Sequence, residues 1–162
     1  MNIPTIQAAM QARQIDGWLV YDFRGSNSIL PMLVPPPSHM AKRTTTRRAL
    51  CFIPARGEPV VIANPLDASQ FDPLPPGVSK HIYLSWRELR ATLEKLLLGK
   101  ARIAMEYSPG CSLPVVSMVD AGTVELIRSM GVEVVSSADL IQACVAVWSP
   151  RALETHLAVS KE

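Results

Sequence analysis

With 162 residues, 48% hydrophobic and 19% charged, the chain suits one domain with a real core and is too apolar for a disordered segment. Its 16 Lys and Arg against 14 Asp and Glu leave +2, which excludes the strong basic field of a dedicated nucleic-acid binder. No apolar run reaches the roughly 18 residues of a membrane span, the start has no signal-peptide pattern, and three scattered Cys without a CxxC argue for a reducing, cytoplasmic compartment rather than a disulfide framework or zinc site.

Ile3 to Arg13 predicts a helix with Ile3, Ile6 and Met10 on one face, broken at Asp16-Gly17. Trp18 to Tyr21 follows as a buried strand. Ser26 to Leu33 predicts a short helix capped by Ser26 or Asn27, which Pro35-Pro36-Pro37 cannot continue. The 14 Pro are well above the roughly 5% base rate, so the first half should carry long, stiff connections. A polar, basic stretch runs to Arg48. An antiparallel hairpin comes next, from Ala49–Ile53 and Pro59–Ala63 around Pro54-Ala55-Arg56-Gly57.

From residue 80 strands alternate with helices. His81–Leu84 is a strand, and Ser85-Trp86-Arg87-Glu88 is a capping box opening a helix with Leu89, Leu93, Leu96 and Leu97 inward, ended by Gly99. Arg102–Glu106 is a strand. Val115 to Met130 predicts a helix burying Val115, Val119, Leu126, Ile127 and Met130, and Val132–Val135 another strand. Two strand–helix–strand units in a row imply parallel pairing with right-handed crossovers. Ser137 caps a helix over Ala138–Val147, and Ser149-Pro150 starts another. The sum is an α/β domain with a mixed sheet of five or six strands and helices on both faces, a three-layer α/β/α arrangement. The final helix, Pro150 to Glu162, is amphipathic with nothing behind it and reads as interrupted. Residues 1–148 are therefore expected to form the domain, and 149–162 to begin a linker into a further one.

Little chemistry is visible. His39, His81 and His156 form no HxH or HExxH and have no carboxylate cluster nearby. There is no GxSxG elbow, no GxGxxG and no P-loop. Cys51 and Cys144 read as core thiols. Cys111, in a Pro-Gly-Cys-Ser loop, lacks a positioned His. The run Lys42-Arg43-Thr44-Thr45-Thr46-Arg47-Arg48 either holds an anion, lines an entrance or is a solvated loop. Asp22-Phe23-Arg24-Gly25-Ser26-Asn27 follows the carboxyl end of the first strand, where open α/β sheets place ligand-facing loops. The bland alternative there is a turn and a helix cap, with Asp22 and Arg24 paired.

Five pieces together resemble the N-terminal domain of the creatinase/prolidase/aminopeptidase P group, the "pita-bread" metallopeptidases. They are the opening helix with Asp16-Gly17-Trp18-Leu19-Val20, the Tyr21–Asn27 loop, the hairpin from Arg47 to Val61, Arg102–Tyr107, and the exit Asp139-Leu140-Ile141 followed by Trp148-Ser149-Pro150-Arg151-Ala152-Leu153-Glu154. The chain departs from the family at Trp148, where Lys is common, and at Pro35–Pro37. The resemblance implies a ribonuclease-H-like three-layer fold. It also implies a downstream catalytic domain holding two divalent ions (Mn, Co or Zn) with two Asp, a His and two Glu, none of which can be placed on this chain. This domain would then be catalytically silent and without a cofactor of its own. It would support a homodimer and reach over an active-site entrance, with Asp22, Arg24, Asn27, Arg47 and Arg48 as rim candidates. No nucleic-acid or membrane partner is expected. Two alternatives stay open: a free-standing binding or interaction module, and a small independent enzyme using Cys111 or the Asp22/Arg24 loop.

Overall fold

The computed structural model describes residues 2–40 and 43–160; Lys42 of the basic run, and Lys161 and Glu162 of the final helix, lie outside the described residues. Six strands form one mixed sheet: β1 (Gly17–Asp22), β2 (Ala49–Pro54), β3 (Val60–Ala63), β4 (Ser79–Ile82), β5 (Arg102–Met105) and β6 (Glu133–Ser136). Their order across the sheet is β4-β3-β2-β1-β5-β6. β2 runs antiparallel to β1 and β3, as the hairpin pattern predicts, and the β3–β4, β1–β5 and β5–β6 pairs are parallel. The helices are α1 (Ile3–Ala12), α2 (Leu30–Leu33), α3 (Trp86–Leu97), α4 (Ala121–Arg128), α5 (Ala138–Cys144) and α6 (Pro150–Val159).

The layers follow from the two-residue period of the strands. Trp18 and Val20 of β1 join Ala49, Cys51 and Ile53 of β2 in one core, with Ile6 and Met10 of α1, Leu30 and Leu33 of α2 and Leu140 of α5. Leu19, Tyr21, Leu50 and Phe52 point the other way, into a core closed by Leu89, Leu93 and Leu97 of α3 and Val124 and Ile127 of α4. β1 is buried along its whole length because it lies in the middle of the sheet with both faces covered. Gln7 and Gln11 on α1 donate to the carbonyls of Pro54, Ala55 and Gly57, which pins that helix to the β2–β3 turn. Asp16 accepts from the Ala101 and Arg102 amides at 2.7 and 2.9 Å, tying the start of β1 to the start of β5. The Arg102 and Ala101 bonds hold its carboxyl below the ordinary 3.8.

Gly17 is required by a close approach. A Cβ there would lie 2.5 Å from Cε2 of the buried Phe52 ring. Gly17→Ala is therefore expected to destabilise the domain by about 1–3 kcal/mol in chemical denaturation, because the ring must move within a packed core.

Several local expectations are corrected. The predicted helix over Ser26–Leu33 shrinks to Leu30–Leu33, because the preceding residues are bound up in the turn described below. The β4 strand starts two residues earlier than His81. Helix α4 covers only Ala121–Arg128 of the predicted Val115–Met130: Asp120 caps it, accepting from the Thr123 amide at 2.8 Å, and Pro114–Val116 forms a separate 3₁₀ turn that leaves Val115 exposed. Helix α5 ends at Cys144, and the Ser137 hydroxyl does not cap it. The Ser85 half of the capping box forms, the Glu88 amide donating to Ser85 Oγ, while the Glu88 carboxylate reaches one residue further back and accepts from the Leu84 amide. Of the two predicted strand–helix–strand units, only β5–α4–β6 joins neighbouring strands. β4 and β5 stand apart with three strands between them, so α3 carries the chain back across the sheet.

Candidate functional site

The carboxyl ends of β1, β3, β4, β5 and β6 lie along one edge of the sheet, since all five run the same way. Nearly all the buried polar side chains gather there. Asp22, the last residue of β1, is 2% exposed. It accepts from the Asn27 amide at 2.9 Å, the Gly25 amide at 3.1 Å and Thr45 Oγ1 at 2.9 Å. This Asx-type turn requires two successive left-handed residues, Arg24 (φ 60°) and Gly25 (φ 70°). Gly25 adopts that conformation freely, whereas Arg24 is held in it at a cost of roughly 1 kcal/mol. Asn27, also 2% exposed, faces inward. Its Oδ1 accepts from the Ile29 and Leu30 amides, and its Nδ2 donates to the Tyr21 carbonyl at 2.8 Å and to Glu106 Oε2 at 2.7 Å.

Glu106, just past β5, is fully buried. Its Oε1 accepts from Trp18 Nε1 at 2.7 Å and from Ser137 Oγ at 3.0 Å. That contact explains why Ser137 fails as a cap: its hydroxyl is turned into the core. Burial, the largest influence, pushes the Glu106 carboxyl above its ordinary 4.5, and the bonds from Trp18, Asn27 and Ser137 pull the other way. Asp67, also buried, accepts from the Thr46 and Arg47 amides at 2.8 Å each and fixes the approach to β2.

On this base stand the exposed groups. Phe23 is 41% exposed with the Arg24 guanidinium 5.6 Å from its ring. Arg24 and Asp22 are not paired, and Arg24 makes no ion pair among the described residues. Arg48 lies over the Trp86 ring at 4.8 Å, and its carbonyl accepts from the Tyr83 hydroxyl at 2.7 Å. Phe23, Ser26, Tyr21 and Arg48 share an open depression of about 610 Å³ with Ser117 to Asp120. The structure thus brings Asp22 and Asn27 into direct contact beneath the loop, leaves Arg24, Arg47 and Arg48 at the surface, and joins only Arg48 to the Phe23 depression. Sequence reasoning missed Glu106, Ser137, Thr45 and Asp67. Trp18 was the available signal for the first of these, since a buried indole N–H calls for an acceptor.

Other candidates stand apart. Cys51 is buried and its thiol is pushed up to about 12 by burial, so it is no nucleophile. Cys111 is exposed on a 3₁₀ turn with φ 56°. His81 Nε2 meets Thr92 Oγ1 at 3.0 Å, and His156 packs edgewise on Trp148. Among the described residues no group of three or more His, Cys, Asp or Glu is placed to hold a metal ion, so these residues do not fit a metal centre. No helix among them is long and apolar enough to cross a membrane.

No protein-family model matches the chain, and no curated protein matches it in sequence. Solved structures do match. The prolidase from Pyrococcus horikoshii OT3 superposes with a TM-score of 0.65 at 12% identity, over 94% of this chain and 37% of that one. Dipeptidase PepE from Mycobacterium ulcerans gives 0.66 at 17% identity, over 94% and 38%. The creatinase/prolidase N-terminal domain of an X-Pro dipeptidase from Streptococcus pyogenes gives 0.57 at 12% identity, over 86% of this chain and 95% of that domain. The chain has the creatinase/prolidase N-terminal fold. It spans under two fifths of the prolidase and PepE chains yet coincides with almost the whole isolated domain. In this creatinase/prolidase N-terminal fold the Asp22–Asn27–Glu106 chain of bonds is what sets the loop after β1.

Proposed function

We propose that this chain acts as the non-catalytic N-terminal domain of a metal-dependent, Xaa-Pro peptidase-like hydrolase in the cytoplasm, where it supports homodimer assembly and controls access to an active site. The observation that carries this reading is the agreement in fold with both full-length prolidases and an isolated creatinase/prolidase N-terminal domain. The catalytic domain, with its pair of divalent ions (Mn, Co or Zn), would be a separate unit following residues 149–162. Metal-activated water would supply the hydrolytic chemistry there. This chain would contribute shape and charge: Phe23 and Arg24 on a loop locked from below by Asp22 and Asn27, with Arg48 on the same depression as Phe23 and Arg47 exposed next to it in sequence, would form a cationic, partly aromatic rim. A left-handed Arg24 kept in place by its surroundings fits a residue presented for contact.

Helix α6 supports the same reading. Ser149 caps it, its Oγ accepting from the Ala152 amide at 3.2 Å, yet none of its residues is buried and Leu153, Leu157 and Val159 are exposed. Such a helix is amphipathic without a surface to cover. The rival reading, a free-standing interaction module, needs α6 to be seated on the domain.

Two measurements test the proposal. The chain, supplied with Mn²⁺ and Xaa-Pro dipeptides, is expected to release no proline above background, and turnover would overturn the non-catalytic role. In hydrogen exchange, amides of 150–160 are expected to exchange orders of magnitude faster than those of β1, whose strand is buried throughout. Equal protection of α6 and β1 would favour the free-standing module.

A further inference from the structure

β4 ends the sheet on one side and pairs only with β3. The Ser79 and Tyr83 amides donate toward that neighbour, to the carbonyls of Pro59 and Ala63. The amides and carbonyls of Lys80 and Ile82, one residue out of phase, therefore point outward along the free edge. Ser79, His81 and Ile82 are exposed. An open edge is ordinarily guarded by a lysine, a proline or a bulge. Ser79–Ile82 has no proline, and its one lysine is turned inward. Lys80 Nζ donates to the Asp72 carboxylate at 2.6 and 2.7 Å and to the Ala68 carbonyl at 3.3 Å, so its charge is already compensated within the chain.

The helix beside this edge is self-complementary in charge. His81 Nε2 meets Thr92 Oγ1 at 3.0 Å, so that flank of α3 borders β4. Glu88, Thr92 and Lys95 share the flank at helical spacing, with opposite charges at its two ends. Glu88 and Lys95 are exposed, neither makes an ion pair among the described residues, and the one bond of the Glu88 carboxylate is to a neutral amide. We propose that two copies of this chain pair antiparallel through β4, about a two-fold axis at His81. Lys80 of each copy then opposes Ile82 of the other, and each such pair exchanges both N–H···O bonds. Ile82 covers the aliphatic stem of the opposing Lys80. The same axis runs α3 antiparallel to its copy and sets Glu88 against Lys95 on both sides. The inference rests on the homodimer reading above and names its surface.

Sedimentation equilibrium of the full chain, from about 1 µM to about 1 mM, is expected to show a monomer–dimer equilibrium with a midpoint on the order of 0.1 mM. Amide exchange at Lys80 and Ile82 is expected to slow as the concentration rises. Lys95→Glu, at an exposed position, sets carboxylates against each other on both sides of the axis and is expected to weaken the dimer at least about tenfold. Adding Glu88→Lys restores the complement in reverse and should return the midpoint to within about threefold of the parent. Ser85 Oγ still caps α3 in that variant, because it binds the backbone amide of residue 88. A dimer indifferent to Lys95→Glu, no recovery in the double variant, or unchanged exchange at Lys80 and Ile82 overturns this surface and leaves homodimer assembly to another face. A chain that stays monomeric throughout overturns this surface and homodimer assembly by this domain together.

Discussion

Asn27→Asp is expected to cost about 4 kcal/mol of stability in urea denaturation and to free the loop after β1. The substitution changes one atom's identity, but Nδ2 is the only group that donates to both the Tyr21 carbonyl and Glu106 Oε2. An aspartate there removes both bonds and sets a carboxylate oxygen against two acceptors in a site closed to water. Leaving a buried carbonyl unpaired costs roughly 1–3 kcal/mol, and burying a charge beside an acid adds several more, offset in part by proton uptake. Amide exchange reads the local effect. The Asn27 amide, protected by Asp22 Oδ1, should lose protection well before β1 does. A variant within 1 kcal/mol of the parent, the scale of an ordinary surface change, would show that Glu106 and Asn27 do not share this bond in solution.

The second large effect concerns Glu106→Gln, with an expected loss of about 3 kcal/mol. Glutamine is nearly isosteric, so size is not the cause. Trp18 Nε1 can only donate, and Asn27 can only donate toward Glu106 because its Oδ1 is taken by two amides. Whichever way the new amide turns, its NH₂ end faces a donor. The neutral carboxylic acid escapes this conflict by placing its proton on Oε1 toward Ser137 Oγ, a group that can accept. The pH dependence then has a definite sign. The folded-state value lies above the ordinary 4.5, so the unfolded chain ionises first. The Glu106 contribution to stability is complete below that ordinary value and is lost as pH rises through the folded-state one. The stability gap between parent and Glu106→Gln should be widest near about pH 4 and narrow toward neutrality, while the Asp16 effect, common to both proteins, cancels. A gap that widens with pH would mean that the three donors hold the ionised form.

Local signals located most elements. The Ser85 and Ser149 caps are short-range devices whose partners lie three residues on, and both formed as read. The unbroken apolar run Trp18–Tyr21 read as a buried strand, and the structure covers it on both faces, Trp18 and Val20 on one and Leu19 and Tyr21 on the other. Two failures, at Ser137 and Arg43, share a cause, which is that a side chain's partner was distant in sequence. Ser137 has the residue type and position of a cap, yet Glu106, 31 residues away, claims its hydroxyl. The Val115–Met130 helix failed for a local reason: Val115 and Val119 share a helical face with Leu126 and Met130, but Pro114 and the Asp120 cap divide the segment. Arg43 sits in a run of charges that usually faces water, and only the meeting of the Val34–Pro35 and Gln70–Phe71 segments makes an interior for it. The loop after β1 was legible as a place of interest from its position. That Asp22 and Asn27 form its foundation, while Phe23 and Arg24 form its surface, required coordinates.

The bonds joining Thr45, Asp22, Asn27, Glu106 and Ser137 span most of the chain, which bears on the order in which the network can be completed during synthesis. Their members come from the beginning, middle and last quarter of the chain, so a nascent segment of a hundred residues carries Trp18 and Asn27 without Glu106, the acceptor they share. The network therefore cannot close before residue 137 has emerged, even though the β1, β2 and β3 strands are all synthesised by residue 63.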